Sequence, residues 1–153
     1  MAPLPGVPAG AVWWASGVQQ WSVVVPAKRL ASAKTRLLPL TAGLGDDAAA
    51  RHAELVLALL ADTVAAAVAS PAVVRVVVVT DEPRAASLAG DLGADVVPDE
   101  PGRGLNAALV HGVRAARAAE AGPVAALNSD LPALAPADPV SYTHLTLPTI
   151  LRV

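Results

Sequence analysis

Residues Val73–Val79, V-V-R-V-V-V-V, form a β-branched run broken only by Arg75. A strand with one face in water alternates apolar and polar residues. A strand covered on both faces is apolar throughout, so this run predicts a strand inside a parallel sheet with helices on either side. Neighbouring parallel strands can be joined only by long crossovers, which are usually helical. The 54% hydrophobic content comes from Ala, Val and Leu, with no Phe and one Tyr. Small aliphatic side chains of that kind let helices lie close against a sheet, as an α/β fold requires. At 153 residues there is room for one domain with a real core and too little for two ordinary ones.

The flanking sequence supplies the rest of such a fold. Ser22–Val25 reads as a first buried strand stopped by Pro26, and the loop after it holds Lys28, Arg29, Lys34 and Arg36, four of the eleven basic residues. Leu38–Gly45, with Pro39, Gly43 and Gly45, reads as a connection. Asp46 and Asp47 then open a helix, where acidic groups suit the positive end of the helix dipole. Its Leu55, Leu59, Leu60, Val64 and Val68 recur at helical spacing and are expected to face the sheet, and Ser70 and Pro71 end it. After the Val73–Val79 strand, Pro83 starts a short helix to about Leu92, capped by Gly93. Ala94–Val97 is a third strand, Pro98–Gly104 a turn-rich loop, Leu105 to about Ala119 a helix, and Val124–Leu127 a fourth strand. Strictly alternating strands and helices make a doubly wound pattern, which brings the carboxyl ends of the strands to one rim. Lys28, Lys34, Asp81 and Asp130 are expected on that rim.

Several function classes are disfavoured. A net charge of −2 creates no field that would draw in nucleic acid or an anionic membrane, so any anion site must be local. Without Cys there is no disulfide, thiolate zinc site or cysteine nucleophile, and the three His are scattered. Val73–Val79 is far short of the ~20 apolar residues that cross a bilayer. The first twenty residues, rich in Pro, Gly and Ala, lack the basic start of a secretory signal and read as a loose extension. A cytoplasmic location is expected.

The basic loop is the strongest chemical signal, because open α/β sheets bind phosphate-bearing ligands outside the carboxyl ends of their strands. Transfer of a nucleotidyl group to an anionic acceptor needs cations around the leaving pyrophosphate, which Lys28, Lys34 and Arg36 can supply. The same charges also fit a plain solvated loop, and only the rim position favours the phosphate reading. Asp130 likewise has two readings. It is either a turn or capping residue before Leu131 and Pro132, or a magnesium ligand, since magnesium takes few protein carboxylates besides phosphate oxygens. Asp81 fits a turn better. Gly102, Gly104, Leu105 and Asn106 stand at a helix start, where free N–H groups and small residues allow close approach of a ligand. Neither a P-loop nor the Rossmann G-x-G-x-x-G occurs, which disfavours dinucleotide oxidoreduction. His52 and His111 are expected in surface or packing positions.

Four motifs together resemble one family: V-P-A-K-R-L-A-S-A-K-T-R-L at Val25–Leu37, V-V-T-D at Val78–Asp81, G-L-N-A-A-L at Gly104–Leu109 and S-D-L-P-A-L at Ser129–Leu134. The family is that of the small guanylyltransferases of coenzyme F-420 biosynthesis, which join a guanylyl group to 2-phospho-L-lactate or phosphoenolpyruvate, and the likeness spans about Trp21–Pro136. It implies a Rossmann-like nucleotidyltransferase fold similar to that of the molybdenum-cofactor guanylyltransferases, with a mostly parallel sheet and helices on both faces. It also implies a GTP donor, a small phosphorylated carboxylic acid as acceptor, and magnesium held by Asp130. The Ala-, Val-, Arg- and Gly-rich composition looks like that of a high-GC actinobacterium, where the resemblance implies phosphoenolpyruvate as acceptor. On this basis Lys28, Lys34 and Asp130 are the expected catalytic residues, and Pro26, Ala27, Lys28, Lys34, Arg36, Gly104, Leu105 and Asn106 the expected nucleotide contacts. Two other readings stay open: a nucleotidyltransferase of the same fold acting on molybdopterin or a sugar phosphate, and a nucleotide-binding fragment without turnover. The former families usually carry a Gly-rich loop after the first strand, where this chain has Pro-Ala-Lys-Arg. Oligomeric state is left open.

The end of the chain reads differently. Val140–Val153 abruptly brings Thr143, Thr146, Thr149, the single Tyr142 and His144. It resembles a translated sequencing-adapter peptide, so the expected division is an extension over residues 1–20, a nucleotidyltransferase domain over 21–139 and a non-native tail over 140–153. The fold is then expected to be incomplete at its C-terminal end. The family's second metal carboxylate and acceptor-phosphate loop would lie beyond Pro136.

Overall fold

The computed structural model describes residues 20–138 apart from 31, 32, 34 and 101. The extension and tail expected at the two ends therefore lie, except for Gln20, outside the described residues. Four strands build one sheet: β1 (Trp21–Pro26), β2 (Val73–Val79), β3 (Asp95–Val97) and β4 (Val124–Ala126). Their spatial order is β3-β2-β1-β4 and every pairing is parallel. The chain steps outward from β1 through β2 to β3, then returns to place β4 on the other side of β1. That reversal opens a crevice at the carboxyl ends of β1 and β4, where α/β sheets bind ligands.

Alternation along the strands divides the core in two. Val23, Val25, Val76 and Val78 pack against α2 (Ala48–Val68) and α3 (Pro83–Asp91), while Val24, Val77 and Val79 pack against α4 (Leu105–Ala119). Both faces are covered, so the consecutive valines Val23–Val25 and Val76–Val79 are all buried, as the apolar run of β2 predicts. At the other end of β2, its pairing with β1 shifts register and Val74 is left exposed.

Two expectations change. Leu38–Gly45 is not a plain connection: after a 3-10 turn (Thr35–Leu37) it is taken up by α1 (Leu38–Thr41) and the start of a second 3-10 segment (Ala42–Asp47), with Pro39 in the first turn of α1. Proline is pre-set for that position and needs no N–H there. The face that α2 buries is also rotated from the expected one. His52, Val56, Leu57, Leu60, Thr63, Val64, Ala66 and Ala67 are buried, Leu55 and Leu59 are half-buried, and Val68 is exposed at the helix end. A leucine count misses this because the small Ala66 and Ala67 bring the helix close, and two polar side chains on the same face find partners inside. Gly93 (φ 91°) closes the end of α3, its N–H donating to Gly90 O at 3.0 Å, as its position predicts.

The opposite layer depends on a glycine for space. A Cβ on Gly112 of α4 would lie 2.7 Å from Val79 Cγ2 and closer still to Val24 Cγ1. The missing side chain is what lets α4 reach the sheet. Gly112→Ala is therefore expected to destabilise the domain by about 1–2 kcal/mol despite alanine's better helix propensity, because two buried, stiff valines must give way. Urea denaturation of the two proteins measures this, and a stabilised variant would show that α4 does not pack so closely.

Candidate functional site

A cleft of about 520 Å³ lies at the carboxyl ends of the strands. Pro26, Ala27 and Lys28 contribute from the end of β1, Val79 from β2, Asp99 from the segment after β3, and Asn128, Ser129 and Asp130 from that after β4. Leu30, Ala33 and Arg36 bring in the basic loop, Gly104 and Leu105 the start of α4, and Leu57 and Leu60 the buried face of α2. Gly104 (φ 93°) holds a left-handed conformation and accepts the Ala108 N–H at 3.1 Å, so the helix begins there with no side chain at its mouth.

Of the expected site residues, Pro26, Ala27, Lys28, Arg36, Gly104, Leu105 and Asp130 line this one cleft. Lys34 lies outside the described residues. Asn106 is placed elsewhere, in a neighbouring hollow with Glu100, Arg103, His111 and Arg114. One step along a helix turns a side chain by about 100°, which carries Asn106 away from the cleft that Leu105 lines. Lys28 and Arg36 are exposed, whereas Asp130 and Asp99 are half-buried. The cleft thus sets two cations and two carboxylates around one space.

Hydrogen bonds from interior positions hold the loops that form its walls. Glu82, ahead of α3, accepts the Leu30 N–H of the basic loop at 3.2 Å through one carboxylate oxygen and the Arg84 N–H at 3.4 Å through the other. One side chain therefore caps a helix and ties down the basic loop. Buried His52 lies with Nε2 2.8 Å from the Ala33 carbonyl oxygen. A carbonyl can only accept, so Nε2 carries the hydrogen, and Nδ1 is buried without a partner among the described residues. Asp81 is exposed and accepts the Asp99 N–H at 3.0 Å, which makes it a loop clasp rather than part of the lining. Asp99 in turn accepts the Gly102 N–H at 3.4 Å.

Sequence reading missed Asp99 in the lining, and Glu82, His52 and Thr63, whose Oγ1 accepts the Leu131 N–H beside Asp130 at 2.9 Å, as anchors of its walls. Asp99 sat unremarked in a turn-rich loop, and Glu82 works through partners 52 and 2 positions away. The one available signal was a His and a Thr on an otherwise apolar helix face. Among the described residues no three His, Asp or Glu side chains cluster as metal ligands. The cleft carboxylates of Asp130 and Asp99 are nevertheless of the kind that could hold magnesium, an ion that keeps most of its shell as water and phosphate oxygen.

A parallel sheet with a charged cleft at its switch point is the architecture of an open α/β domain. Residues 53–141 match the MobA-like NTP transferase domain, and the chain belongs to that family. It is 66% identical over 119 residues to the phosphoenolpyruvate guanylyltransferase of Geodermatophilus obscurus, covering 78% of this chain and 54% of that protein. The Streptomyces coelicolor phosphoenolpyruvate guanylyltransferase is 56% identical over 120 residues, with the same coverage of 78% and 54%. The chain spans about half the length of these curated relatives. A solved CMP:2-keto-3-deoxy-manno-octonic acid synthetase complexed with CTP shares the fold, with a TM-score of 0.53 and 16% identity over 82% of this chain and 46% of that one. Among the described residues no helix is long and apolar enough to cross a membrane.

Glu82→Ala is expected to cost about 1–2 kcal/mol, since it removes a helix cap and an acceptor for a loop N–H together. It should also speed hydrogen exchange at the Leu30 amide. Unchanged exchange there would mean that Glu82 serves α3 alone.

Proposed function

We propose that this chain carries the nucleotide-binding half of a guanylyltransferase that moves GMP from GTP to phosphoenolpyruvate, or to the related 2-phospho-L-lactate, with release of pyrophosphate in coenzyme F-420 biosynthesis. The observation that carries the reading is one cleft holding Lys28 and Arg36 together with Asp130, in a chain similar to phosphoenolpyruvate guanylyltransferases. An acceptor phosphate oxygen attacks the α-phosphorus of GTP, the new phosphoanhydride forms, and the bond to the β-phosphate oxygen breaks as pyrophosphate leaves. No covalent enzyme intermediate is needed, so catalysis is positioning plus charge stabilisation. Lys28 and Arg36, with Lys34, attract the triphosphate and offset charge on the leaving pyrophosphate. Gly104 and Leu105 present the open N-terminus of α4 to the nucleotide. Asp130 is the residue that would hold magnesium, and a bound ion there would add positive charge against the phosphates. A soluble, cytoplasmic setting supplies GTP and the acceptor.

The test is pyrophosphate release from GTP and magnesium with each acceptor, run on this chain beside the Geodermatophilus obscurus relative. Release by the relative and none by this chain, together with no GTP binding, would overturn the proposal. Lys28→Ala is expected to weaken GTP binding about tenfold while leaving thermal stability unchanged, because an exposed lysine contributes little to the core. Asp130→Asn should keep the fold and lose the magnesium-dependent part of GTP binding. A variant that keeps it would leave Asp130 as a turn residue only.

A further inference from the structure

Thr63 of α2 is fully buried on a face otherwise built from valine, leucine and alanine, with His52 at its other end. A hydroxyl here is not needed for packing. Valine has the same shape, and the hydroxyl's bond to the Leu59 carbonyl, 2.8 Å away within the same helix, gives the helix little. Its second bond explains it. Thr63 Oγ1 accepts the backbone N–H of Leu131 at 2.9 Å, from 68 residues further along the chain. Leu131 follows Asp130 directly. At the other end of this short segment the Leu127 N–H donates to the Val24 carbonyl of β1 at 2.9 Å. Asn128, Ser129 and Asp130, all lining the cleft, are thus suspended between one backbone anchor on the sheet and one side-chain anchor on α2. The Leu134 N–H, donating to the Leu131 carbonyl at 3.0 Å, closes a turn just past the second anchor.

We infer that Thr63 is a positioning residue for Asp130: its buried hydroxyl, by fixing the Leu131 amide, sets where the Asp130 carboxylate stands in the cleft. The inference rests on the proposed magnesium role of Asp130. Thr63 itself touches neither nucleotide nor metal. Helix α2 serves as the template for both walls of the site, since His52, eleven residues and about three turns earlier on the same face, holds the basic loop through Ala33. Groups that orient a metal-holding residue commonly govern metal affinity by about 10–100-fold when removed.

The test compares Thr63→Val, which keeps the shape and removes the hydroxyl, with Thr63→Ser, which keeps the hydroxyl and removes a methyl. GTP affinity is measured for each with magnesium and with a chelator, and hydrogen exchange is followed at the Leu131 amide. For Thr63→Val the Leu131 amide is expected to exchange faster, and the gain in GTP affinity on adding magnesium to fall about tenfold or more; Thr63→Ser should keep both near the parent values. If Thr63→Val does not fold, Leu131→Pro removes the same bond from the donor side and should give the same loss of magnesium gain. A full magnesium gain in whichever of these variants folds overturns the inference, and so does a Thr63→Ser loss as large as that of Thr63→Val. A parent chain that binds GTP with no gain from magnesium overturns the reading of Asp130 itself, a result distinct from failure at Thr63.

Discussion

Burial of β1 and β2 on both faces is the constraint on which the rest of the structure depends. Val24, Val25, Val77, Val78 and Val79 are essentially inaccessible, and each such side chain contributes roughly 1.5–3 kcal/mol when removed from water. That gain exists only while α2 and α3 cover one side and α4 the other. Covering both sides requires the chain to cross the sheet, which it does once, after β3, so that β4 lies beyond β1 and the switch point falls beside β1. The cleft is a consequence of how the valines are hidden.

Close approach of the layers governs the detail. On one side Gly112 lets α4 settle onto Val24 and Val79. On the other, Ala67 lets α2 settle on the valines of the opposite face, with Ala85 and Ala89 of α3 in the same core. With no Phe in the chain, small residues rather than large ones achieve close packing. The polar side chains that are buried bond to backbone: His52 to Ala33, and Thr63 to Leu59 and Leu131. They tie loops of the rim to the packed core.

The rim is therefore a set of short segments, each pinned from beneath. The basic loop hangs from Glu82 and His52, the segment after β3 from Asp81, and the Asp130 segment from β1 and Thr63. Exposed cations on a pinned loop suit a triphosphate, because solvated side chains can adjust while the backbone beneath them stays in place. Preorganised charge of this kind is what nucleotidyl transfer demands of a protein, since the chemistry itself needs no protein nucleophile.

The sequence by itself determined the strands and the rim on which the basic loop would lie. Local physics suffices for these. Val76–Val79 can be apolar on every residue only if both faces are covered, Pro83 and Gly93 bracket α3 through their own backbone preferences, and a loop after a strand end falls on the rim of a parallel sheet. Tertiary structure alone decided which face α2 buries, that Leu38–Thr41 is helical, and that Asn106 turns away from the cleft while Asp99 faces it. It alone decided the roles of Glu82, His52 and Thr63. The physical reason is distance along the chain: their bonds to Leu30, Ala33 and Leu131 span 52, 19 and 68 residues. A hydroxyl or imidazole on a helix carries no local mark of the backbone group it will meet once the sheet has brought the two together.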